Sequence, residues 1–132
     1  MTADYLLDSS AVIALANRAH EHNERTSRWV AGQRRLALCP ITEGSLVRYM
    51  LRLGDHPSTS TRLLQGYYTS PLFEFWPDDL SYSDVDVSNL RGHRQVTDAY
   101  LVALAASRGA RLATLDAGLA AMHPSGAFLI PS

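Results

Sequence analysis

The stretch Val96–Ser107, VTDAYLVALAAS, constrains the chain most. Leu101, Leu104 and Ala105 recur at three- and four-residue spacing, which predicts a helix with one apolar face turned inward. Its first turn carries a single acid, Asp98. Backbone N–H groups at a helix start lack partners, and negative charge is favoured there. Three other acids, Asp8, Glu43 and Asp116, stand at comparable punctuation points, where an apolar run gives way to a helix.

Read in order, the chain alternates short apolar runs with helices. Tyr5-Leu6-Leu7 reads as a buried strand ending at Asp8. Ala11–Ala16 is helical in composition and follows almost without a loop. A second helix is expected over His22–Gln33, with Trp29 and Val30 on its apolar side. The second strand is Leu36-Ala37-Leu38-Cys39, stopped by Pro40. Thr42 offers a cap for a helix running to about Leu53, with Glu43 in its first turn and Leu46, Val47, Met50 and Leu51 inward. Gly54-Asp55-His56-Pro57 is a turn. Ser58–Tyr68 is a helix whose Leu63, Leu64, Tyr67 and Tyr68 point to core or to an interface. Phe73–Trp76 is β-prone. A short helix is expected over Asp84–Leu90, then a loop at Gly92. After the central helix, Arg108-Gly109 ends it, and Leu112–Leu115 is the next strand. Asp116 caps a short helix through Met122, and Phe128-Leu129-Ile130 is an edge strand. Such alternation argues an α/β chain with a parallel sheet covered on both faces.

The 132 residues fit one domain, 1–132, with a single substantial core. Net charge is −1, so no global basic field announces nucleic acid. All 12 basic residues are arginine. Arginine forks match phosphate geometry, although codon bias in a GC-rich genome gives the same composition. A lone cysteine, Cys39, cannot form an internal disulfide and suits a reducing cytoplasm. No leader pattern opens the chain, and no apolar run approaches the ~18–20 residues that span a bilayer. The expectation is a soluble, unprocessed cytoplasmic protein with no membrane partner.

In a parallel sheet, strand carboxyl ends and the following helix starts share one edge. Asp8, Glu43, Asp98 and Asp116 can therefore reach one place from four segments. Close carboxylates repel and raise one another's pKa unless a cation neutralises them. Hard oxygen ligands suit Mg²⁺ or Mn²⁺, and such a site can drive an in-line displacement at phosphorus. Each acid also has a simpler reading as a cap. Asp116 is the most easily explained that way; near Asp98, Thr97 can cap, and near Asp8, Ser9 or Ser10 can.

These residues carry a resemblance. YLLDSSAVIAL, PITEGSLVR, QVTDAYLVALA and LATLDAGLA occur in the order found in PIN-domain ribonucleases, and the chain resembles in particular the VapC toxins of toxin–antitoxin pairs. The resemblance implies a three-layer α/β/α fold around a short, mostly parallel sheet. It implies Mg²⁺- or Mn²⁺-dependent endoribonuclease activity that cuts RNA phosphodiester bonds and inhibits translation. Asp8, Glu43, Asp98 and Asp116 match the family's catalytic, metal-binding acids, and Ser9 and Thr114 look like residues that orient them. Arg91, His93, Arg94 and Gln95, just before Asp98, are candidate RNA contacts, or else a solvated loop. Where the family often has a further acid, this chain has Gly118. The implied partners are a VapB-type antitoxin, RNA and a second copy in a homodimer.

Other acidic-pocket classes fit poorly. A response-regulator receiver needs a lysine, and there is none. A haloacid-dehalogenase-type phosphatase needs a second Asp two residues after the first, where Ser10 stands. The remaining alternative is a non-catalytic PIN module that binds RNA or protein.

Overall fold

The computed structural model describes residues 2–132. Five strands, β1 (Tyr5–Leu7), β2 (Leu36–Leu38), β3 (Phe73–Phe75), β4 (Arg111–Thr114) and β5 (Ala127–Leu129), form one sheet. Its order is β3-β2-β1-β4-β5, and every neighbouring pair is parallel. The helices are α1 (Ser9–Ala16), α2 (Asn23–Ala31), α3 (Pro40–Arg52), α4 (Pro57–Thr69), α5 (Val96–Ser107) and α6 (Ala117–Met122).

The sheet divides the core in two because successive strand residues face opposite ways. Leu6 packs in a cluster with Leu101 and Leu104 of α5 and Leu119 of α6. Leu7 packs with Val12 of α1, Val30 of α2 and Leu46 of α3. This is the expected α/β/α layering. Leu6, Leu7, Leu36, Leu38 and Leu112 have no exposed surface, and each such burial stabilises by about 1.5–3 kcal/mol. Among the described residues no helix is long and apolar enough to cross a membrane.

The strand order also creates the cleft. From β1 the chain moves outward to β2 and β3, then returns to β4 on the other side of β1. Connections diverge where the order reverses, and they leave a crevice at the strand carboxyl ends. Asp8 follows β1 and Asp116 precedes α6 after β4. Because α5 leads back toward the start of β4, its own first turn, with Asp98, lies on the same edge.

Local chemistry moves some boundaries. Cys39 is the N-cap of α3 rather than the last residue of β2, and Pro40 opens the helix rather than only ending the strand. Proline suits that position because its missing N–H would have had no helical partner. Thr42 is therefore not the cap; its Oγ1 accepts the Cys39 N–H from inside the first turn at 3.2 Å. Thr97 does not cap α5 either, because a 3₁₀ turn at His93–Gln95 runs straight into that helix and Gln95 takes the cap position. The helix expected over Asp84–Leu90 is absent. A single 3₁₀ turn, Tyr82–Asp84, stands there instead. Ser81 and Asp86 accept the N–H groups of Ser83 and Ser88 at 3.1 and 3.0 Å, and such local bonds compete with helix. Leu51 is 45% exposed rather than inward; Met50, roughly 100° round the helix, takes the buried place.

One close approach gives a test. A Cβ at Gly126 would stand 2.6 Å from Val102 Cγ1 on α5. Val102 is β-branched and has few rotamers to escape into. Gly126→Ala is expected to cost about 1–3 kcal/mol in denaturant unfolding, and adding Val102→Ala should restore most of the loss. Full stability of the single variant would show that β5 and α5 are not held this close.

Candidate functional site

Asp8 is the best-anchored of the acids. It is 4% exposed and caps α1: its Oδ1 accepts the Ala11 N–H at 2.9 Å and the Ser10 hydroxyl at 2.7 Å. Its Oδ2 accepts the Thr114 hydroxyl. Both hydroxyls are themselves tied to the end of β4: Ser10 Oγ accepts the Leu115 N–H at 3.2 Å and Thr114 Oγ1 the Asp116 N–H at 3.0 Å. Burial pushes the Asp8 carboxyl up to about 6; the three hydrogen bonds oppose the rise, and the charge of Asp98 adds to it.

Asp98 is half-buried in the first turn of α5 and its carboxylate makes no hydrogen bond among the described residues. Burial raises its pKa above the usual carboxylate range, and the charge of Asp116 raises it further, while His123 opposes the shift. Asp116 caps α6, its Oδ1 accepting the N–H groups of Gly118 and Leu119 at 2.8 and 3.1 Å. Three aspartates from three segments are thus electrostatically linked, Asp8 to Asp98 and Asp98 to Asp116.

Glu43 is held differently. Tyr68, from α4, donates its hydroxyl to Glu43 Oε2 at 2.6 Å. Burial, and then that bond and the charge of Glu43, push the Tyr68 phenol well above its usual range. Ser9 makes no hydrogen bond to Asp8; the neighbouring serine that does is Ser10. A one-residue difference decides this, because only Ser10 is turned back toward the cap it follows.

A cleft of about 220 Å³ is lined by Gln95, Asp98, Asp116, Gly118, Leu119, Met122 and His123. Arg91 and Gln95 border a shallower adjoining shelf with Ser88, Asn89, Leu90 and Met122. The Gln95 side chain joins the two by accepting the Arg91 N–H at 2.8 Å. His93 and Arg94 face solvent. Sequence reasoning missed Ser10, Tyr68, Met122 and His123 as neighbours of the acids. Met122 and His123 reach the cleft because α6 is so short that its end still borders it.

A family model described as PIN domain matches residues 5–123. The chain belongs to the PIN domain family. Its relatives within that family are VapC ribonucleases. It is 44% identical over 128 residues to Ribonuclease VapC29 of Mycobacterium tuberculosis, covering 96% of each chain. It is 40% identical over 121 residues to Ribonuclease VapC38 of the same species, covering 86% of each. The fold matches that of Mycobacterium tuberculosis VapC20, described as a Sarcin-Ricin loop cleaving toxin, with a TM-score of 0.69 at 14% identity over 96% of this chain and 99% of that one.

In this PIN domain the acids suit a hard divalent cation by donor type: carboxylate oxygens, one set without hydrogen-bond partners, bearing on one another as like charges. As they stand, no group of three or more His, Cys, Asp or Glu among the described residues is close enough to hold an ion. A cation would relieve the repulsion between the acids.

The Asp8 environment predicts how the metal-free protein responds to pH. The folded state holds the Asp8 proton more tightly than the unfolded chain, where the carboxyl titrates at 3.8. Stability from this group is therefore full below about pH 4 and is lost as pH rises through about 6. In metal-free protein, the melting temperature of Asp8→Asn relative to the native chain is expected to be higher at about pH 7 than at about pH 4, by roughly 5 °C. The amide has no charge to bury, although it gives up the acceptor of the Thr114 hydroxyl. A difference between the two proteins that does not change with pH would contradict this reading.

Proposed function

We propose that this PIN domain is the toxin of a toxin–antitoxin pair, an endoribonuclease that uses Mg²⁺ or Mn²⁺ to hydrolyse RNA phosphodiester bonds and so inhibits translation. The observation that supports it most is the linked set of Asp8, Asp98 and Asp116 at the carboxyl edge of the sheet, in a chain whose relatives are named ribonucleases. Those three residues, with Glu43, would hold the metal. When bound, it supplies a water-derived nucleophile and neutralises charge at phosphorus.

The remaining chemistry falls to the chain's own groups. Thr114 and Ser10 fix both oxygens of Asp8, so this carboxylate is oriented before any ligand arrives. Tyr68 engages Glu43 Oε2 and leaves Oε1 as the oxygen that would reach the metal. Arg91, His93 and Arg94 are exposed in the turn before Asp98 and would meet backbone phosphates; Gln95 lines the cleft itself. The proposed partners are a VapB-type antitoxin, RNA and a second copy in a homodimer, in the cytoplasm. An arginine from the antitoxin would bind these carboxylates in bidentate fashion.

Cleavage of RNA by the purified protein should vanish in excess chelator and return with Mg²⁺ or Mn²⁺. Asp98→Asn keeps the size of the side chain and removes one charge. It should fold normally and lose at least about a hundredfold in rate, the scale for removing a group that stabilises developing charge. Undiminished cutting by folded Asp98→Asn, or full activity in chelator, would overturn the metal role. A native protein that binds RNA and never cuts it would be the non-catalytic module.

A further inference from the structure

The cleft that holds Asp98 and Asp116 extends beyond them. Its inner wall is Leu119, Met122 and His123, and its rim is Gln95 and Gly118. At about 220 Å³ it is smaller than the roughly 300–1,000 Å³ of sites for drug-sized ligands. No arginine lines it, so an anion seated there would depend on a cation held by the acids. Beyond the acids it offers two apolar side chains, Leu119 and Met122, and two polar ones, Gln95 and His123. Gln95 uses Oε1 to accept the Arg91 N–H, which leaves its NH₂ free to donate. His123 Nε2 is buried without a hydrogen-bond partner, a state that is costly until something pairs with it. A Cβ at position 118 would press to 3.2 Å from Asp116 Oδ1, so glycine there leaves this carboxylate its place at the cleft wall.

A single unpaired nucleobase answers all of this: uncharged, planar, apolar on its faces and polar on its edge. We propose that the cleft is a nucleobase subsite, taking the base next to the phosphate addressed by the acids; the proposal rests on the ribonuclease reading above. Leu119 and Met122 contact the faces of the base, and Gln95 and His123 read its edge. The shelf of Ser88–Arg91, which shares Gln95 and Met122 with the cleft, carries the cation that the cleft lacks and receives the neighbouring phosphate. The cleft has room for a base and not for a base pair, so the substrate enters single-stranded.

Two measurements on the full chain test this. In the first, methionine methyl resonances are followed while a trinucleoside with uncharged methylphosphonate linkages is added. This probe is neither repelled by the acids nor cut. Met122 should shift and Met50, buried on the other side of the sheet, should not. In the second, random-sequence RNA is cut in Mn²⁺ and the new ends are sequenced. The native protein should prefer one base at a single position beside the cut, and Gln95→Ala and His123→Ala should each relax that preference about tenfold while leaving other positions alone. Unchanged preference in both variants, or a silent Met122 while RNA is cut, would overturn the subsite. So would a uniform loss of cutting over all sequences in folded variants, which would assign both residues to the acids. A Met122 shift without any cleavage by the native protein would keep the subsite and overturn the ribonuclease reading.

Discussion

The structure depends on one buried carboxylate. Asp8 ends the central strand, and its two oxygens are held by Ser10, Ala11 and Thr114. The same two hydroxyls take the N–H groups of Leu115 and Asp116. The carboxyl end of β1 is thereby stitched to the carboxyl end of β4, where the strand order reverses. Capping α1, closing the β1–β4 edge and presenting a charge to the cleft are one set of bonds. A buried acid is costly unless its hydrogen bonds are made, and here each bond also fixes the direction of a segment that leads to another acid.

The electrostatics run against stability. Asp8 and Asp98 are each pushed up by burial and then by a neighbouring acid. A chain selected for stability alone would hold an apolar or neutral residue at such points. The strain is acceptable because the surrounding layers are well filled: both faces of the sheet are buried by leucines with no exposed surface. The acids sit at element ends, where backbone N–H groups offset part of the cost for Asp8 and Asp116. Asp98 has no such bond, which leaves it the acid freest to take a ligand.

Much of this was legible in the chain. Apolar runs bounded by Asp, Pro or Gly mark β1, β2 and β4 because a strand buried on both faces has no polar alternation to hide it, while β3 shows instead as the alternating Phe73-Glu74-Phe75. The helix start carrying Asp98 was legible from spacing, and the common edge followed from parallel order. What failed to show was conformation decided by one residue or by distance along the chain. Ser9 and Ser10 are chemically identical, and only backbone direction selects Ser10. Tyr68 finds Glu43 across 25 residues, and no local pattern announces that pairing. Over Asp84–Leu90 the composition tolerates a helix, but the serine and aspartate side chains satisfy the backbone locally first. His123 lies past the end of α6, where nothing in the sequence distinguishes it from a surface histidine.

The central claim is that carboxylates delivered by three separate segments form one cation site. Crystals grown or soaked with Mn²⁺, with data collected at the manganese absorption edge, test it directly. The account predicts one dominant anomalous peak within coordination distance of Asp8, Asp98 and Asp116, with the side chains drawn in toward it. A peak elsewhere, or none at a Mn²⁺ concentration that supports RNA cleavage, would contradict it.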